Sequence, residues 1–243
     1  MNTAAHEALH EAPPTLRSSV RVDLFGPIHK AIRHALSSLL VRMGSTTFAD
    51  AEAARAVVHE LEEVLQLCED HRGIEDRFIL PALGERLRQP LRSVADDHAA
   101  QPRVVAELRA LGETLMDTLP ERRPLAGRTL YLHFSTFTAE LLLHMAEEEQ
   151  MVQPLLERLF TDPELDAIRG RLLASMSGPE KMLSARYMLP ALDRVERATL
   201  AAGALASMPR EVGRTLVDLA RRVLTPEDFA DVEARIGLTG HTR

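Results

Sequence analysis

The sequence predicts an all-α protein: an up-down four-helix bundle over residues 21–160, followed by a C-terminal helical extension over 161–243. Three observations carry this. Ala, Leu, Glu and Arg dominate while tryptophan is absent and tyrosine occurs twice, a composition that favours helices over sheets. Apolar residues recur at intervals of three and four, and an alternation of period two is sustained nowhere. Four such amphipathic stretches follow one another with short breaks, the pattern of a bundle.

Residues 1–20 offer few apolar groups to offset the entropy of ordering and read as a flexible tail. Asp23 is placed to cap a first helix, about Leu24 to Met43, whose buried face is Phe25, Ile28, Ile32, Leu36, Leu39 and Met43, and which Gly44 ends. A second helix runs from Phe48 or Asp50 to Leu87, with Val57, Leu61, Val64, Cys68, His71, Glu75 and Phe78 on one stripe. Pro81 kinks it or marks its last turns. The third, about Leu91 to Met116, carries Val94, His98, Val105, Leu108 and Leu111 and is interrupted at Pro102. The fourth, about Leu125 to Phe160, places His133, Phe137, Glu140, His144, Glu148 and Met151 on one face.

Beyond it, Pro163, Pro179, Pro190, Pro209 and Pro226 divide the chain into four or five shorter helices, with Asp162, Ser177 and Thr225 as capping residues. This part holds no cluster of His, Cys or carboxylates, so its expected role is packing or a homodimer contact.

The net charge is −7 with basic residues scattered among acidic ones, which leaves no electrostatic footprint for nucleic acid or an anionic membrane. No apolar run reaches the roughly 18 residues of a membrane span, and residues 1–20 lack the apolar core of a secretory signal. Cys68 is the single cysteine, so no disulfide forms within the chain, and the expected location is cytoplasmic.

The strongest signal is an internal repeat. HRGIEDRFILPAL begins at His71 and HMAEEEQMVQPLL at His144; both give His, Glu four residues on, and Pro six further. Positions i and i+4 share a helix face, so each pair offers an imidazole and a carboxylate to one point. Each repeat also has a histidine on the preceding helix, His29 lying 42 residues before His71 and His98 lying 46 before His144. Two halves therefore each supply His, His and Glu. Imidazole suits iron, zinc, copper or nickel, and two carboxylates able to bridge favour a pair of hard or borderline metals, iron first. Ferritin-like di-iron sites are a poorer match, because they use Glu-x-x-His in the opposite order. Without a metal, Glu75 and Glu148 would face a bundle interior as unpaired carboxylates, at a cost of several kcal/mol.

The arrangement H…HxxxE…H…HxxxE resembles a variant of the hemerythrin-like (HHE cation-binding) family over about residues 21–160. That resemblance implies a non-haem di-iron centre with an oxo or hydroxo bridge, His29 and His71 on one iron, His98 and His144 on the other, and Glu75 and Glu148 bridging. The variant occurs in proteins linked to nitrosative and oxidative stress. The family's oxygen carriers have a fifth histidine where this chain has Pro102, and an aspartate at i+5 where it has Glu148 at i+4, which points away from simple oxygen storage.

The expected function is therefore a di-iron protein that binds, senses or reacts with dioxygen, nitric oxide or peroxide. A di-iron enzyme with peroxidase, catalase-like or ferroxidase turnover and a metal-dependent regulatory module stay open beside it. Pro102 cannot donate to the carbonyl of His98, so a kink or π-bulge is expected there. His133 and Glu140 are read as lining an access path, supporting the ligands from behind, or bonding internally, Cys68 as a core thiol, and Glu147 and Glu149 as a solvated face. His6, His10, His34, His59 and His241 are read as surface or structural residues.

Overall fold

The computed structural model describes residues 21–88, 91–207 and 210–236, and these contain helices and no strand. The expected tail over 1–20, with His6 and His10, and also Pro209 and His241, lie outside the described residues. Among the described residues no helix is long and apolar enough to cross a membrane.

The first helix, α1, spans Gly26–Ser45; Asp23 Oδ1 accepts from the amides of Phe25 and Gly26 at 3.0 and 2.8 Å just before it. Asp50 caps α2, Ala51–Ile74, accepting from the amides of Glu52 and Ala53, a contact of the kind that contributes about 1 kcal/mol. A π-helical turn, Glu75–Ile79, then leads into α3, Leu80–Leu87, which ends at Arg88 in the left-handed region with φ 55°. Next come α4, Arg92–Asp117, and α5, Arg123–Glu147; a second π turn, Glu148–Val152, continues into α6, Gln153–Leu159.

These elements form the bundle. α1, α2, α4 and α5 make a ring in which each packs on the next and α5 returns to α1, with short links at 46–50 and 118–122. The core is divided in two. The larger cluster includes Leu36, Leu39, Leu61, Leu65, Leu108 and Phe134, and the smaller one includes Phe25, Ile79, Leu83, Val94, Val152 and Leu156. A fully buried leucine of this kind contributes about 2 kcal/mol. Along the chain each site histidine lies between a residue of the smaller cluster, Phe25, Ile79, Val94 or Val152, and residues of the larger one, so apolar side chains flank the polar layer on both sides. The larger cluster is closed at its far end by Phe48, whose ring lies where a side chain on Gly127 would be, 2.3 Å from a Cβ at that position.

The remaining helices are α7, Asp162–Ser175; α8, Gly178–Ala191; α9, Arg194–Ser207; α10, Arg210–Val223; and α11, Pro226–Arg235. Ser177 and Thr225 cap as expected, but α7 is capped by Thr161 in a reciprocal box with Glu164, so that Asp162 is its first residue. α8 lies against α1 and α2; its Tyr187, Leu183 and Met188 join the bundle's larger cluster, and Arg186 pairs with Glu63 at 2.6 Å. Buried Arg197 donates to the carbonyls of Leu189 and Leu192 at the end of α8, at 2.7 and 2.9 Å.

The π-bulge expected at Pro102 is not found: Arg92–Asp117 is α-helical throughout, with Pro102 inside it. The register change occurs instead at Glu75 and Glu148, where the amides of Leu80 and Gln153 donate to carbonyls five residues back. Each of these donors precedes a proline, Pro81 or Pro154, which has no N–H with which to continue the tighter ladder. Pro102 sits in a long helix packed on two neighbours.

Candidate metal centre

α1 contributes His29, α2 His71, α4 His98 and α5 His144, while Glu75 and Glu148 are the first residues of the two π turns. All six are buried, Glu75 and Glu148 being 1 % exposed. Their ligand atoms form two groups, His29, His71, Glu75 and Glu148, and Glu75, His98, His144 and Glu148, each with all atoms within 4.8 Å of one another. Both glutamates belong to both groups.

Nε2 of His29 and Nε2 of His71 are 3.0 Å apart, and those of His98 and His144 are 3.1 Å apart. Bonds of about 2.1 Å from a metal to two nitrogens, opened at a right angle, separate the nitrogens by about 3.0 Å. The carboxylates divide their oxygens between the pairs. Glu75 Oε1 lies 3.1 Å from His71 Nε2, and its Oε2 lies 3.4 Å from His98 Nε2. Glu148 Oε2 lies 3.3 Å from His29 Nε2, and its Oε1 lies 3.3 Å from His144 Nε2. Yet neither oxygen of Glu75, nor Oε2 of Glu148, makes a hydrogen bond. Buried oxygens that are surrounded by nitrogens but aligned with none are costly unless a cation lies among them.

Three of the four imidazoles are held from behind by acids. His29 Nδ1 meets Glu149 Oε1 at 2.9 Å, His98 Nδ1 meets Asp76 Oδ1 at 2.7 Å, and His144 Nδ1 meets Asp97 Oδ2 at 3.2 Å. A carboxylate on Nδ1 keeps the proton there and turns the Nε2 lone pair inward, the arrangement of metal-binding histidines. Arg33 donates to both oxygens of Glu149, at 2.6 and 3.0 Å, and fixes it in turn.

Without a cation, protons balance the site. Burial opposes the charged form of His29 and His144, but neighbouring carboxylates, Glu148 with Glu149 for His29 and Glu148 with Asp97 for His144, raise both above the usual range. Burial and the adjacent imidazoles push His71 down to about 3. Burial, reinforced by the charge of Glu148, holds Glu75 well above the carboxylate range. Burial acts the same way on Glu148, but the imidazoles of His144, His29 and His98 outweigh it and hold that carboxyl well below the range.

The six residues singled out from the sequence thus meet at one place. Asp76 and Asp97 were not singled out, and Glu149 is corrected from a solvated face to the support of His29; burial opposes its ionisation, but His29 and Arg33 bring it down to about 2. The available signal was that an acid directly follows each site glutamate, giving Glu75-Asp76 and Glu148-Glu149. His133 and Glu140 are corrected the other way: both are exposed and line an outer groove with Val104, Glu107 and Leu132, away from the six. Their faces lie about one residue's rotation outside the buried stripe. Cys68 is a buried core thiol that burial pushes up to about 12, while His34 and His59 are exposed.

No family model matches the chain. Relatives were found among the F-box/LRR-repeat protein 5 sequences. That of Xenopus tropicalis is 26% identical over 153 residues, 63% of this chain and 22% of its own length; that of Mus musculus is 27% identical over 155 residues, with the same shares. That of Salmo salar is 25% identical over 173 residues, 70% of this chain and 24% of its own length. The chain spans less than a quarter of the length of these relatives. The family resemblance read from the motif is therefore corrected: membership of the hemerythrin-like family is not upheld, since no family model matches and the similarity found is to proteins of another name. Helical spacing constrains six positions and leaves the rest of the sequence free, so a shared ligand pattern does not amount to a family match.

Proposed function

We propose that this chain is a non-haem di-iron protein that binds, senses or reacts with dioxygen, nitric oxide or peroxide. One observation carries the reading. Four inward Nε2 atoms in two pairs about 3 Å apart face two carboxylates, each sharing its oxygens between the pairs, and three of the four oxygens lack hydrogen bonds. The donor set fits the metals. Two nitrogens and two carboxylate oxygens per position suit a borderline divalent ion that tolerates both donor types, as iron does.

His29, His71, Glu75 and Glu148 would hold one ion, and Glu75, Glu148, His98 and His144 the other. Each ion would take four protein donors, two imidazole nitrogens and two carboxylate oxygens. When bound, the iron pair supplies one-electron chemistry and affinity for small diatomic molecules. The chain's own residues do the rest. Asp76, Asp97 and Glu149 aim the imidazoles, the two apolar clusters exclude bulk water, and Glu75 and Glu148, common to both ligand groups, would hold the ions as a pair.

The test is anaerobic loading with Fe(II), followed by nitric oxide or dioxygen. The expected result is a visible absorption change that saturates in proportion to protein and is lost in Glu148→Ala. A response no different from that of free iron overturns the reading.

A further inference from the structure

The two halves of the site present the same set of inward-facing donors, two imidazoles and a glutamate, and differ in what lies behind them. His29 and His98 each present Nδ1 to an acid from the opposite half, Glu149 and Asp76. The residue before His98 is Asp97, and it reaches Nδ1 of His144 at 3.2 Å. The residue before His29, which corresponds to it in the repeat, is Ile28, half-buried and packed against the larger core cluster. Among the described residues no side chain or carbonyl accepts from Nδ1 of His71, and that residue is 8% exposed.

An acid behind a ligating imidazole fixes its orientation and raises its basicity, and losing one lowers metal affinity by roughly ten- to a hundredfold. The geometry points to an ordered pair of metal positions: the one between His98 and His144 is filled first and held more tightly, and the one between His29 and His71 is filled last and emptied first. This rests on the two-metal reading given above. Under limiting metal the chain would carry one ion at the Asp97 side, and occupancy of the His71 side would follow the supply.

The test is crystallisation of the full chain with one equivalent of Co(II), with anomalous scattering used to measure occupancy at each position. The expected peak between His98 and His144 is about three- to tenfold larger than that between His29 and His71, the square root of a ten- to hundredfold affinity ratio. Asp97→Ala, a change at a side chain that is 55% exposed, brings the two peaks toward equality. Equal peaks in the unaltered chain, a larger peak beside His71, or a ratio unmoved by Asp97→Ala overturns the ordering while leaving two positions intact. No peak at either position with two equivalents present overturns the two-metal reading and the ordering with it.

Discussion

Glu149 lies 2.9 Å from Nδ1 of His29, although the two residues belong to opposite halves of the repeat. The reverse exchange is made by Asp76 and His98 at 2.7 Å. Each site glutamate is thus followed by an acid that steadies the other half's first histidine, so neither half is complete alone.

Removing either acid leaves the inward ligands in place but frees an imidazole to rotate. Glu149→Ala and Asp76→Ala should each lower metal affinity by roughly ten- to a hundredfold without abolishing two-metal binding. Competition against a chelator of known affinity measures this. Unchanged affinity in both variants would show the contacts to be incidental.

Glu75 makes the metal-stripped protein sensitive to pH. Its folded-state carboxyl titrates above the unfolded value near 4.5, so its contribution to stability is fully present below that value and is lost as pH rises through the folded pKa. Gln mimics the protonated form at every pH. Glu75→Gln in chelator-treated protein should therefore be more stable than the unaltered chain at pH 8, by about 1–3 kcal/mol, with the gap closing toward pH 4.5. Denaturant melts at the two pH values check the sign.

Metal loading must displace protons from His29 and His144, both raised above 6.5, and from Glu75. Affinity should rise from pH 6 to pH 8, with net proton release. Calorimetry in buffers of different ionisation enthalpy gives the number released, and a release of zero at pH 6 would contradict the raised histidines.

Two backbone positions give predictions independent of metal. Gly127→Ala drives a methyl group into the Phe48 ring and should cost about 1–3 kcal/mol of stability. Arg88, exposed and left-handed at the end of α3, should gain about 0.5 kcal/mol as Arg88→Gly. Urea denaturation distinguishes the two signs.

The bundle was legible because its helices bury continuous stripes such as Ile32, Leu36 and Leu39, and because Asp50, Ser177 and Thr225 announce helix starts chemically. Four of the six site residues were legible because a repeat of His, Glu and Pro contains them, and His29 and His98 because each repeat has a histidine at a similar distance on the helix before it. Asp76 and Asp97 escaped notice, and Glu149 read as solvated, because they lie at the edge of the buried stripe, where an acid reads as solvated until a histidine from another helix is known to lie beside it. The π turns escaped because a proline two turns past a helical residue announces a disturbance without fixing where the register shifts. Pro102, read as the disturbed point, lies inside a continuous α-helix.

The most direct test is metal content. Full-length protein loaded anaerobically with excess Fe(II) and desalted should carry two irons per chain, with about one in His71→Ala and none retained in the double variant Glu75→Ala with Glu148→Ala. A chain that keeps fewer than one iron after loading, or a double variant that still keeps two, would contradict a centre shared between these glutamates.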